Sequence, residues 1–174
     1  MACRLQTCST KIESTEMANM TDEKQTGFPS RILYTMIRVG NLDKSIAFYK
    51  NALGMKELRR ETFKGAGFTL VFMGYGDAES EPTIELTWNW DKSDYTHGTG
   101  YGHIALGVED IYGLCDYLEQ MGVNITRPAA PMLFAVDETG HKEVIAFIED
   151  PDGYKIELIE MPKKLIQRKY PEEI

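Results

Sequence analysis

Tyr101-Gly-His-Ile-Ala-Leu-Gly-Val-Glu-Asp110 and Asp150-Pro-Asp-Gly-Tyr-Lys-Ile-Glu-Leu-Ile-Glu160, read together, decide the fold. The first predicts a short strand with His103 at its start. The second predicts a tight turn, with Pro at its second position and Gly at its fourth, and then a strand carrying Glu157. The first half of the chain repeats this layout, with Tyr34 and Glu85 in the matching places. From Tyr34 to Glu85 is 51 residues and from His103 to Glu157 is 54.

The segments between these anchors also repeat. Ile32 to Val39 predicts a strand, and Asn41 or Asp43 can cap a following helix. Leu42, Ile46, Tyr49 and Leu53 form its apolar stripe, and Gly54 ends it. Met55–Thr62, Phe68–Gly74 and Thr83–Trp88 predict three more strands. In the last of these, Ile84, Leu86 and Trp88 face one way and Glu85 and Thr87 the other. After a polar, turn-rich stretch the order recurs. Gly102–Val108 predicts a strand, and Asp110 caps a helix with a stripe of Ile111, Leu114, Leu118 and Met121, closed by Gly122. Strands follow at Val123–Thr126, Lys142–Glu149 and Tyr154–Ile159. The expectation is therefore α+β, with two βαβββ modules at 29–90 and 101–161 joined by a linker at 91–100. Residues 1–28 have no hydrophobic period and are expected to be a disordered leader, without the features of a secretory or transit signal. Residues 162–174 are expected to be a charged tail.

Composition narrows the function classes. With 43% hydrophobic residues, the 174-residue chain can bury a core. Its net charge of −8 argues against nonspecific nucleic-acid binding and against docking on anionic lipid. No apolar run is long enough for a transmembrane helix. Cys3, Cys8 and Cys115 lack zinc-site spacing and fit a reducing, cytoplasmic setting. An anionic substrate must be met by local cations, because the overall field opposes it.

A lone histidine at a strand start, as His103 is, more often serves as a structural hydrogen-bonder than as a ligand. Two glutamates at matching places in two repeats, beside a histidine, are harder to explain structurally, because an unpartnered buried carboxylate costs several kcal/mol, on the order of its desolvation. One imidazole and two carboxylates suit a divalent cation such as Ni²⁺, Co²⁺, Zn²⁺ or Mn²⁺. A carboxylate at such a centre can also act as a base.

At these residues the chain resembles a known family. Met36-Ile-Arg-Val-Gly-Asn-Leu-Asp-Lys-Ser45, Phe48-Tyr49, Leu53-Gly54-Met55, Val71-Phe-Met-Gly-Tyr-Gly76 and Ile84-Glu-Leu-Thr-Trp-Asn89 resemble the glyoxalase I family of the vicinal-oxygen-chelate superfamily. So do Tyr101-Gly-His-Ile-Ala105 and Ala146-Phe-Ile-Glu-Asp-Pro-Asp-Gly-Tyr-Lys-Ile-Glu-Leu158. The resemblance covers about residues 31–160.

It implies isomerisation of the methylglyoxal–glutathione hemithioacetal to S-lactoylglutathione. A glutamate removes the carbon-bound proton to give an enediolate, which is reprotonated at the neighbouring carbon. By resemblance, Glu85, His103 and Glu157 match metal ligands, with Glu157 as base and Glu85 as the second catalytic carboxylate. Arg38 and Asn89 match residues that hold glutathione, Thr87 lines the same groove, and Lys142 is the candidate partner of a glutathione carboxylate. The implied cofactor is one divalent metal per site, with Ni²⁺ or Co²⁺ favoured and Zn²⁺ also accommodated. The implied assembly is a homodimer, in which Tyr34 and Glu85 share a metal with His103 and Glu157 of the partner subunit.

Two departures stand out. Where the family's first ligand is His or Gln, this chain has Tyr34. Phenol binds metal well only as phenolate, so three readings stay open. Tyr34 ligates, or it leaves a weaker three-residue site, or it is a core tyrosine in a chain that lost catalysis. The second departure is the longer Pro128–Lys142 segment. The alternatives to the lyase are another enzyme of the superfamily (an epimerase, dioxygenase or thiol transferase) and a noncatalytic small-molecule-binding dimer.

Overall fold

The computed structural model describes residues 29–162, so the expected leader at 1–28 and nearly all of the expected tail lie outside the described residues. In chain order the elements are β1 (Tyr34–Arg38), α1 (Leu42–Asn51), β2 (Lys56–Phe63), β3 (Phe68–Gly74) and β4 (Thr83–Asn89). The same succession follows as β5 (Ile104–Val108), α2 (Ile111–Gln120), β6 (Asn124–Pro131), β7 (Val144–Glu149) and β8 (Lys155–Glu160). They build two four-stranded sheets with equivalent orders, β1-β4-β3-β2 and β5-β8-β7-β6. In each sheet the first strand runs parallel to the last, because the helix between the first two strands carries the chain across, and the remaining pairs are antiparallel.

Both helices start and stop on local chemistry. The Asn41 side chain accepts from the Lys44 amide at 2.9 Å, and Asp110 accepts from Gly113 at 2.9 Å. Gly54 and Gly122 follow the helices with φ of 68° and 75°, a conformation that disfavours residues with a Cβ. Leu42, Ser45 and Tyr49 are buried on α1, and Ile111, Cys115 and Leu118 on α2. Met121 does not complete the expected stripe: it stands at the end of α2 and is exposed.

The two halves share one hydrophobic core, containing Ile37, Val71, Met73, Ile84 and Leu86 from the first sheet and Ala146, Ile148, Ile156 and Leu158 from the second. Polar bonds join them at the Asp150–Gly153 turn. The Tyr49 hydroxyl donates to Asp150 Oδ2 at 2.9 Å, and the Gly40 amide donates to Asp152 Oδ1 at 2.9 Å. The Tyr154 hydroxyl donates to the Arg38 carbonyl at 3.0 Å and accepts from the Arg38 amide at 3.3 Å.

The β6 strand corrects the sequence reading. It runs on to Pro131, past the expected end at Thr126. Pro128 and Pro131 are tolerated because β6 is an edge strand, and its pairing with β7 is broken by two register shifts. The longer segment noted in the sequence is thus part strand and part loop.

Candidate metal centre

Cross-strand register arranges the expected site residues. Directly opposed residues in a sheet point to the same face. In the first sheet, Arg59 pairs with Phe72, Phe72 with Glu85, and Glu85 with Met36. Tyr34 and Arg38 lie two residues either side of Met36 and share its face, while Thr87 and Asn89 share that of Glu85. Tyr34, Arg38, Glu85, Thr87 and Asn89 therefore occupy one face, while Ile84 and Leu86 on the other enter the core.

The second sheet has the same row. Arg127 pairs with Phe147, Phe147 with Glu157, and Glu157 with Ala105. His103 lies two residues before Ala105, as Tyr34 lies two before Met36. The rings repeat the match. Tyr34 meets Phe72 edge to face at 5.4 Å, and His103 meets Phe147 edge to face at 5.4 Å. Tyr34 is thus the structural counterpart of His103.

The two carboxylates differ in their partners. His103 Nε2 and Glu157 Oε2 are 3.0 Å apart, with the imidazole 42% exposed and the Glu157 side chain 14% exposed. Glu85 is 6% exposed, and its Oε1 accepts from the Thr87 hydroxyl at 2.7 Å. The row also stacks the Arg59 guanidinium 3.9 Å from the Phe72 ring centre. Asn89 Nδ2 donates to the Tyr95 hydroxyl at 2.9 Å. Lys142 Nζ donates to the Leu133 carbonyl at 3.0 Å, and Lys142 borders a cavity with Glu109, Glu143 and Glu160 that does not include His103.

A cavity of about 500 Å³ opens beside His103, bordered by Tyr101, Arg127, Phe147, Glu149 and Lys155. Burial, then the neighbouring Asp150 and Tyr154, pushes the Tyr101 phenol up to about 12, so it stays neutral while it donates to the Lys155 carbonyl at 3.3 Å.

The donors fit a divalent metal in type: an imidazole nitrogen beside a carboxylate, and a second, buried carboxylate. Among the described residues of one chain, His103 and Glu157 are the two of these donors that meet. Among the described residues no three His, Cys, Asp or Glu side chains gather into a metal-capable group. Sequence reasoning missed Phe72, Phe147, Arg59, Arg127 and Lys155. Phe72 lies 13 residues before Glu85 but Phe147 only 10 before Glu157, because the connections between the strands differ in length. No fixed spacing marks the pair.

Residues 31–158 match the Glyoxalase/Bleomycin resistance protein/Dioxygenase superfamily. The chain is 53% identical to the lactoylglutathione lyase of Haemophilus influenzae over 75% of this chain and 92% of that protein. It is 51% identical to that of Neisseria meningitidis serogroup A over 75% and 90%. Among solved structures, glyoxalase I from Zea mays superposes with a TM-score of 0.69 at 38% identity, covering 75% of this chain and 44% of the maize chain. The trypanothione-dependent glyoxalase I of Leishmania major superposes with a TM-score of 0.64 at 45% identity, covering 76% of this chain and 87% of that one. By sequence match and by the repeated Glu-bearing sheets, the chain belongs to the glyoxalase I family of that superfamily.

Proposed function

We infer that the protein is a lactoylglutathione lyase, converting the methylglyoxal–glutathione hemithioacetal to S-lactoylglutathione and so removing methylglyoxal. The observation that carries this is the duplicated row that gives each sheet one glutamate beside a phenylalanine, with His103 and Tyr34 at equivalent places.

His103, Glu157, Glu85 and Tyr34 would hold the metal, with Ni²⁺ or Co²⁺ favoured by resemblance and Zn²⁺ also compatible with the donors. When bound, the metal supplies Lewis-acid stabilisation of the charge that develops on the substrate's two adjacent oxygens. The rest falls to the chain. Glu157 takes the proton from the hemithioacetal carbon and returns it to the neighbouring carbon; no redox cofactor enters, because hydrogen only moves within the substrate. Its limited exposure keeps bulk water from competing for that proton. Glu85, the second catalytic carboxylate, is oriented by the Thr87 hydroxyl. Arg38 and Asn89 sit on the Glu85 face, where they would meet the glutathione moiety, with Thr87 lining the groove and Lys142 offered from the 128–142 segment.

The separation of Glu85 from His103 and Glu157 within one chain supports a homodimer in which Tyr34 and Glu85 meet His103 and Glu157 of the partner subunit. Tyr34 is 44% exposed and Met36 is 41% exposed on the Glu85 face, a surface suited to being covered. No described helix is long and apolar enough to cross a membrane, and a cytoplasmic setting accords with the free, buried Cys115.

The test is thioester formation from preformed hemithioacetal. Chelator-treated protein is assayed, then given Ni²⁺, Co²⁺ or Zn²⁺ separately. Metal-restored S-lactoylglutathione is the expected result. Folded protein that stays silent with every metal would overturn the lyase reading and favour a binding protein.

A further inference from the structure

The chain carries net charge −8, yet glutathione brings two carboxylates to the site. Some cation must receive them. The charged groups around the cavity beside His103 are Arg127, Glu149 and Lys155, with Glu157 next to His103. Arg127 is committed to the backbone, donating to the Ile145 carbonyl at 3.1 Å and to the Pro131 carbonyl at 3.2 Å. Glu149 accepts from Asn124 Nδ2 at 2.7 Å. Lys155 stands opposite Glu149 in the β7–β8 register, but no ion pair joins them, and the ammonium has no partner among the described residues.

Lys155 is two residues before Glu157 on β8 and therefore points to the same face. The Tyr101 hydroxyl holds the start of that strand through the Lys155 carbonyl. Lys142 is placed less well, since its ammonium is spent on the Leu133 carbonyl and three glutamates border its cavity.

We propose that Lys155 is a specificity-determining residue that receives one carboxylate of the peptide thiol in the cavity beside His103. The proposal rests on the lyase reading for the identity of that thiol. A charge-assisted hydrogen bond from an exposed side chain such as Lys155 is worth about tenfold in affinity. Glu149 is held by Asn124 and Glu157 by His103, which leaves the Lys155 ammonium as the cation in this cavity without a partner among the described residues.

The experiment measures binding of S-methylglutathione, and of its two singly amidated forms, to metal-loaded full-length protein by calorimetry. Lys155→Ala is expected to weaken S-methylglutathione about tenfold, and Lys155→Arg to retain most of the affinity. One of the two amides should bind wild type and Lys155→Ala equally, which names the carboxylate received. In turnover, Lys155→Ala should raise KM and leave kcat nearly unchanged. Unchanged affinity in Lys155→Ala, or an equal loss for all three ligands, would overturn the proposal. Wild-type protein that binds S-methylglutathione through Lys155 but forms no thioester would sink the lyase reading and leave this one standing. Wild-type protein that binds none of the three ligands would sink both.

Discussion

The ring of Tyr34 meets that of Phe72 at 5.4 Å and 73°, and in the other sheet His103 meets Phe147 at 5.4 Å and 79°. One phenylalanine-backed position thus holds a phenol in the first half of the chain and an imidazole in the second. Of the three readings of Tyr34, a plain core tyrosine fits least, because Tyr34 is exposed on the face that carries the buried Glu85.

Tyr34→His should bind metal more tightly. An imidazole is a better ligand than a phenol at neutral pH, and the edge-to-face seat on Phe72 accepts a smaller ring. The expected gain is about tenfold, or about 1.4 kcal/mol. Competition with a chromophoric chelator measures it, and activity should rise or persist. Weaker binding, or lost activity with the fold intact, would mean that Tyr34 is used as it stands.

Glu157→Gln should abolish most turnover while fold and assembly persist. A missing general base lowers the rate by about 10²–10⁴. Retained hydrogen-bonding shape should preserve the circular dichroism and the sedimentation of the wild type. Near-normal thioester formation would remove Glu157 from the role of base.

Tyr49→Phe tests the joint between the halves. Tyr49 is fully buried and its hydroxyl donates to Asp150 Oδ2. Burial raises Asp150 above the ordinary carboxylate value, against the opposing Tyr154 amide and Tyr49 hydroxyl. A carboxyl raised in the folded state contributes most to stability below its unfolded value, and that contribution fades as pH rises through the folded value. Without the hydroxyl the ionised carboxylate loses a partner, at about 1–3 kcal/mol at neutral pH. Denaturant melts should show this deficit at neutral pH and a smaller one in mild acid, where Asp150 takes up its proton. A deficit that widens on acidification would contradict the assignment.

Gly40→Ala should destabilise the chain. A Cβ there would collide with the Ser93 carbonyl oxygen, and the Gly40 amide already donates to Asp152. Backbone cannot yield as a flexible side chain does, so about 1–3 kcal/mol is expected in equilibrium unfolding. A melt indistinguishable from wild type would show that the 90s segment moves aside freely.

Much of the fold was written locally. Asn41 and Asp110 cap where their side chains reach an amide three residues on, and Gly54 and Gly122 end the helices because they accept positive φ. The β3 span Phe68–Gly74 could be read directly, because its apolar run is bounded by turn residues. The end of β6 could not. Its prolines argue against a strand unless the strand lies at an edge, and edge position is a property of the sheet. Met121 kept the helical period but is exposed, standing at the C-cap just past the end of α2, while Leu118 one turn earlier is fully buried.

By itself, the sequence determined the two βαβββ halves, the glutamates at equivalent places and the histidine beside one of them. Periodicity, caps and turns depend on neighbours a few residues away, and those are visible in one dimension. Only the tertiary structure decided that Phe72 and Phe147 stand against Tyr34 and His103, that each phenylalanine lies between a glutamate and an arginine across the strands, and that Lys155 shares a cavity with His103 while Lys142 does not. These relations are set by strand register across connections of unequal length. Register is fixed by hydrogen bonding and by which face is buried, and no constant spacing along the chain records it.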